Sequence, residues 1–357
     1  APSRKFAMRV GPDYFAPEII HNPVKITSRS TPEINFSVFA NDNLGINTVK
    51  IEYQIDGVSQ DPLVLTNEQQ SCYSGLISIA DFSEANKLEY KIIAEDNSSR
   101  KNKKTLPSNG FYTVSIYTPF EPVNGYVTNF ENTYGDFTLA DFEISREAGF
   151  STNILHTLNP YPVSSVENEK NNLIAQLNYP VVLQPNGLMT FDEVVLVEPG
   201  QEGSNYNEEL FWDYVIIEGS KDNGKTWLPL TEGYDSGNDR NWFSSFNNTL
   251  KSSTSDASAQ EDMFVKRYVN LTENAEFAVG DTVIFRFRLA SDCSVNGWGW
   301  AIDNLEIQKL HTATDDMLAE NNIGIYPNPF SNSFYVDCQE NTSDQEIEIT
   351  VTDLYGK

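Results

Sequence analysis

The sequence predicts an all-β chain built from successive sandwiches, and three observations predict it. Short runs that alternate apolar and polar residues recur along the chain, separated by turns rich in Asn, Asp, Gly and Ser. Helical periodicity is scarce. Aromatic residues make up 12% of the chain and are mostly Tyr and Phe, which suit half-buried strands. At 357 residues the chain is too long for one ordinary sandwich and predicts two or three domains, and 39% hydrophobic residues are enough to give each a core.

Residues 1–22 read as a linker or the last strand of an upstream domain. Phe6 to Val10 is strand-like there, and Pro17 and Pro23 follow. Residues 23–118 carry the clearest alternation, in Ile34 to Ala40, Val49 to Tyr53, Leu88 to Ala94 and Phe111 to Tyr117. Alternation places one face of each strand on a core and the other in water. About seven short strands in this span predict an immunoglobulin- or fibronectin-like sandwich. Residues 119–310 hold longer, more apolar strands: Asn172 to Leu177, Leu188 to Val197, Trp212 to Glu218, Asp281 to Leu289 and Gly299 to Ile307. They predict a larger jelly-roll sandwich. Its polar stretch from Gly233 to Asp262 reads as a long surface excursion. Residues 311–322 are an acidic linker. Residues 323–357 hold two strands, Ser333 to Asp337 and Ile347 to Thr352, and read as a partial third sandwich.

The formal net charge of -27 opposes binding to nucleic acid or to an anionic membrane surface. No apolar run reaches the ~18 residues a membrane helix needs. Cys72, Cys293 and Cys338 show neither a disulfide framework nor zinc spacing. The chain opens at Ala1 without a signal peptide and stops at Lys357, so it reads as a fragment or a processed product.

Gly219 to Thr226 fits the phosphate-loop pattern G-x-x-x-x-G-K-T, but such a loop requires a following helix. Thr226-Trp227-Leu228-Pro229-Leu230 reads as a strand, and Asp222-Asn223-Gly224 as a hairpin turn. Asp235-Ser236-Gly237 resembles the surroundings of a serine nucleophile, for which His156 is the only partner outside the links between domains. Cys293 would also need His156 beside it. The sequence assembles no catalytic set, and the expectation is a chain without enzymatic activity of its own.

Carboxylates in or beside strong strands are better candidates. Asp303, Glu131, Asp136, Asp192 and Glu193 would be costly to bury unpaired, and a structural Ca²⁺ would take oxygens from several strands. The competing reading has them facing solvent or capping turns. All five tryptophans lie in the second module. Trp242, in the polar stretch with Phe243 and Phe246, is the candidate exposed aromatic for stacking on a sugar ring.

Ile325-Tyr326-Pro327-Asn328-Pro329-Phe330, with the later Asp353-Leu354-Tyr355-Gly356-Lys357, resembles the type A C-terminal sorting domain of the Bacteroidetes type IX secretion system. The resemblance implies export to the medium or the cell surface and the outer-membrane secretion machinery as partner. It assigns the sorting motif to Tyr326, Pro327, Asn328, Pro329, Asp353, Gly356 and Lys357. Under this resemblance the sequence is expected to stop short of the family's terminal strands.

Glu218-Gly219-Ser220, Asp222 to Trp227, Val283 to Arg288 and Gly299 to Leu305 are similar to the MAM-like jelly rolls of immune-inhibitor-A-type exported metallopeptidases. That resemblance implies a structural cation near Asp303, and matches Glu131 to the opening strand. Asp42 to Ile46 and Ala94 to Ser98 look like the Ig-like domains of such proteins. The resulting expectation is a non-catalytic accessory and sorting region, downstream of a candidate hydrolase domain. The alternative is an adhesin or carbohydrate-binding jelly roll with a glycan or protein ligand. Third comes a secreted peptidase with activity in this chain.

Overall fold

The computed structural model describes residues 12–80, 84–133, 135–164, 170–273 and 275–308, and the two strands Ile323–Tyr326 and Tyr335–Cys338. The described residues are nearly all strand and turn, arranged as packed sheets.

In the first sandwich, Glu33–Asn41 lies between Glu18–Ile20 and Cys72–Ser78, with Thr66–Gln69 beyond. The facing sheet runs Ile26–Ser28, Tyr112–Tyr117, Lys87–Asp96, Ile46–Ile55. Its outermost pair, Ile26–Ser28 with Tyr112–Tyr117, is parallel. Alternation drives the packing. Ile34, Phe36, Val38 and Ala40 point inward from one strand, and Leu88, Tyr90, Ile92 and Ala94 from another. Every other residue is therefore solvated, as a sheet with one wet face requires.

The stretch expected to be a linker contributes to this sandwich. Glu18–Ile20 is an edge strand paired antiparallel to Glu33–Asn41. Ile19 and His21 alternate inward, and His21 shares a 2.7 Å hydrogen bond with the Tyr90 hydroxyl and a 2.9 Å contact with Ser37 O. Burial depresses the His21 pKa, only partly offset by the Ser37 carbonyl. Pro17 and Pro23 bracket this short strand rather than exclude it, as an edge position allows. The candidate strand Phe6 to Val10 lies outside the described residues.

The second sandwich has two antiparallel sheets. One runs Phe142–Ser145, Ile154–Thr157, Gly299–Ile307, Leu188–Leu196, Val265–Asn270, with Tyr126–Thr128 also on Gly299–Ile307. The other runs Phe137–Ala140, Asn171–Leu177, Thr282–Ser291, Tyr214–Ser220, Leu228–Pro229. Consecutive strands repeatedly change sheet, the connectivity of a jelly roll. Phe191, Phe285, Phe287 and Trp300 fill the space between the sheets.

Gly219 to Thr226 is the hairpin expected. Asn223 and Gly224 both have positive φ, and the Asp222 carboxylate accepts from the amide and hydroxyl of Thr226. The short strand Leu228–Pro229 follows, with no helix to meet a phosphate.

The two sandwiches touch through Lys25, whose Nζ donates to Asp141 (2.5 Å) and Asn171 (2.9 Å). In a second unit, Ile323–Tyr326 pairs antiparallel with Tyr335–Cys338. Tyr326 ends the first of these strands. Pro327, Asn328, Pro329, Asp353, Gly356, Lys357 and the candidate strand Ile347 to Thr352 lie outside the described residues. Among the described residues, no helix is long and apolar enough to cross a membrane.

Candidate functional site

The polar stretch from Gly233 onward differs from the surface excursion expected of it. It makes a 3-10 turn, Ser236–Asn238, and then the helix Arg240–Asn248. Asp239 caps this helix by accepting from Asn241 N (2.7 Å) and Trp242 N (3.2 Å), which satisfies two otherwise orphaned amides. Trp242 and Phe246, one turn apart, face the core and are fully buried. Trp242 Nε1 donates to Met263 O at 3.0 Å. Trp242 is therefore a core residue and presents no surface to a ligand. Phe243 and Asn247, offset by one residue, face outward instead, and Phe243 is 46% exposed.

Phe243 and Asn247 form one wall of a cavity of about 730 Å³. The opposite wall is the loop between Leu188–Leu196 and Tyr214–Ser220, which contributes Glu202, Asn205, Tyr206, Phe211 and Trp212. Tyr234, Glu232 and Asp235 complete it. The loop closes on itself. Gln201 N donates to Leu210 O, and Glu208 accepts from both Asn205 nitrogens, which holds its carboxyl below the usual range. The Tyr206 ring lies 5.2 Å from Tyr214 and 6.2 Å from Phe211, centroid to centroid. Gly233 permits this packing, since a Cβ there would stand 2.6 Å from the Tyr206 ring.

Asp235 ties the walls together. One carboxylate oxygen accepts from Gly200 N (2.8 Å) in the loop, and the other from Gly237 N (2.7 Å) ahead of the helix. Burial raises its pKa, and the two amides only partly oppose this. The antiparallel bridge Val215–Tyr234 anchors the same segment to the sheet.

The loop begins just after Glu198 and ends just before Asp213, and these two meet Asp292. One carboxylate oxygen from each lies within 4.8 Å of the others. Tyr161 OH donates to Asp213 (2.7 Å) and accepts from Glu198 N (3.1 Å), and Asp292 N donates to Asp213 (2.7 Å). Burial, then the charges of Asp213 and Asp292, push the Glu198 carboxyl up to about 8. Burial pushes Asp213 up to about 7 against the hydrogen bonds from Tyr161 and Asp292 N. These three, and Asp13, Asp42 and Asp96 in the first sandwich, are the acidic triplets of metal-holding spacing among the described residues.

The five carboxylates singled out in the sequence do not make one such group. Glu193 is fully buried and already satisfied: Arg267 Nε donates to it at 2.6 Å, Tyr234 OH at 2.7 Å and Trp300 Nε1 at 2.9 Å. Asp136 accepts from Tyr126 OH, and Glu131 from Asn153 N. Asp192 and Asp303 are paired across adjacent strands, and Asp192 is also held by Asn304 and Lys266. Burial, followed by the charges of Asp192, Glu131 and Glu261, raises Asp303 to about 6. That oxygen-rich end is where a hard cation would relieve repulsion.

The reactive residues weighed in the sequence stay apart. His156 is 1% exposed and occupied by Ser145 Oγ (2.9 Å) and Thr157 O (2.8 Å) rather than by Ser236. Cys293 is exposed and lies just beyond the strand Thr282–Ser291.

No protein-family model matches the sequence, and no curated protein matches it. Three solved structures show a distant likeness to the chain. A carbohydrate-binding module specific for non-crystalline cellulose, CBM28, is 11% identical, with a TM-score of 0.33, over 54% of this chain and 100% of its own. A complex of Dpr11 IG1 with DIP-gamma immunoglobulin domains is 12% identical, with a TM-score of 0.19, over 60% of this chain and 94% of its own. The M60 catalytic domain with two CBM51 domains of Clostridium perfringens ZmpB is 10% identical, with a TM-score of 0.17, over 85% of this chain and 32% of its own.

Proposed function

We propose that this chain is a non-catalytic accessory region of an exported protein, and that its second sandwich binds a glycan in the cleft between the Glu198–Asp213 loop and the Arg240–Asn248 helix. The observation that carries the reading is the cleft's composition. Tyr206, Phe211, Trp212 and Phe243 bring aromatic surface to one cavity with Asn205 and Asn247. A sugar ring presents an apolar C–H face and a rim of hydroxyls, and a site of flat apolar rings with a few convergent polar groups complements both. The partly or well exposed Trp212 and Phe243 take the stacking role that the sequence alone assigned to Trp242.

A glycan array followed by calorimetry on the best hit tests this. Trp212→Ala and Phe243→Ala are each expected to weaken binding about tenfold, which is about 1.4 kcal/mol. Saturable binding that survives both substitutions unchanged places the ligand elsewhere.

Export rests on the Tyr326-Pro327-Asn328-Pro329 motif and its downstream Asp353-Leu354-Tyr355-Gly356-Lys357. Replacing Pro327 and Pro329 in the full-length gene is expected to reduce surface or medium protein at equal synthesis. A structural Ca²⁺ at the Asp303 end is supported by its facing carboxylates. Melting with and without chelator tests it, and an unchanged Tm removes the ion.

A further inference from the structure

We infer that the cleft selects its ligand by charge: it accepts uncharged glycans and turns away those bearing carboxylate or sulfate. This rests on the glycan reading above and adds the substrate class. Glu202, Glu232 and Asp235 line the cavity, and among the described residues no Lys, Arg or His lines it with them. Glu202 and Glu232 are solvent-exposed at its rim, while Asp235 is buried with both oxygens already engaged by Gly200 N and Gly237 N. An anionic sugar therefore meets two free carboxylates and, among the lining residues, no guanidinium or ammonium to pair with. Like charges that meet at an interface cost affinity and exclude wrong partners.

Two nearby positive features do not reverse this. The helix Arg240–Asn248 starts two residues after Asn238 of the lining, but the Asp239 carboxylate occupies its first free amides. Lys170 Nζ is bound to Trp212 O beneath the wall, among Glu198 and Asp213. Beyond the cleft, the chain's net charge of -27 adds a repulsive long-range field. Uncharged hydroxyls suffer none of this, because a carboxylate is a strong acceptor for sugar O–H donors.

The test uses matched probes: oligosaccharides of glucose, galactose and mannose beside those of glucuronic, galacturonic and mannuronic acid. Each pair differs only in whether C6 is a hydroxymethyl or a carboxylate. Binding to the intact chain is measured at low and at 0.5 M salt, about 30 Å and below 10 Å of screening length respectively. The best neutral oligosaccharide is expected to bind at least tenfold tighter than its uronate counterpart at low salt. The ratio is expected to shrink at high salt, and again at low salt in the Glu202→Gln/Glu232→Gln double variant. A uronate that binds as well as its neutral partner overturns the inference and leaves the glycan reading standing. So does a preference that ignores both salt and the double substitution. A panel in which nothing binds removes the glycan reading and this inference with it.

Discussion

The second sandwich buries carboxylates in two ways, and the contrast shows what a buried acid requires. Glu218 lies against two arginines: Arg286 Nε at 2.7 Å, and Arg288 through Nε and Nη2, each at 2.9 Å. Burial pushes its pKa up, but the hydrogen bonds from Arg288 and the charges of both guanidinia outweigh it and hold the group ionised. Glu193 has the same kind of partner in Arg267. At the cleft end, Glu198, Asp213 and Asp292 converge with hydrogen-bond donors and only the nearby charge of Lys170, and there burial drives Glu198 and Asp213 toward the protonated form. Burial alone therefore does not decide the charge state; a directly hydrogen-bonded guanidinium does, and a cation that is merely near does not.

The largest expected effect lies on the paired side. Arg267→Ala leaves fully buried Glu193 without a cation and also strips the contact over the Tyr234 ring, where the guanidinium stands 4.1 Å from the centroid. Breaking such a pair costs about 3–5 kcal/mol. Denaturant unfolding checks this, and a loss under 1 kcal/mol would show that Glu193 does not depend on Arg267.

Trp242→Ala and Phe243→Ala divide core from cleft on one helix. The first empties a buried site and is expected to cost about 3–5 kcal/mol of stability. The second removes a half-exposed ring and is expected to change stability by under 1 kcal/mol while weakening glycan binding. Equal destabilisation by both would contradict the helix orientation.

The last effect is the pH dependence. Glu198 and Asp213 have folded pKa values raised to about 8 and about 7. The folded state then holds protons that the unfolded chain releases, so stability is highest below the ordinary carboxylate range and falls as pH rises through 7 and 8. Glu218 is lowered, so its contribution is present above that range and is lost on acidification. A melting profile from pH 4 to 9 is expected to decline from the ordinary carboxylate range up to about pH 8, where Glu198 ionises in the folded state, and to level off above it. Asp213→Asn is expected to flatten that decline, and an unaltered slope would assign it to other groups.

Much of the framework was legible from residue order. Alternation in Ile34 to Ala40 and Leu88 to Ala94 specifies which side chains point inward, because a strand has a period of two. The hairpin at Asp222-Asn223-Gly224 was legible because Asn and Gly tolerate the positive φ that the turn imposes. The helix Arg240–Asn248 was missed because Asn, Ser and Phe are weak helix formers in a polar stretch. The signal was there in the Asp239 cap and the four-residue spacing of Trp242 and Phe246. The cleft left no comparable trace, since Tyr206, Trp212, Glu232 and Phe243 stand in no periodic relation.

By itself, then, the sequence determined the all-β character, the faces of its strands and the hairpin in place of a phosphate loop, because each depends on neighbours within a few residues. Only the tertiary structure decided which charges are paired and which aromatic rings reach solvent. Glu198, Asp213 and Asp292 become one electrostatic unit, and Arg267 becomes the partner of Glu193, through strand pairings that join distant parts of the chain. Burial and the distance between charges set those energies, and both are properties of the assembled sheets.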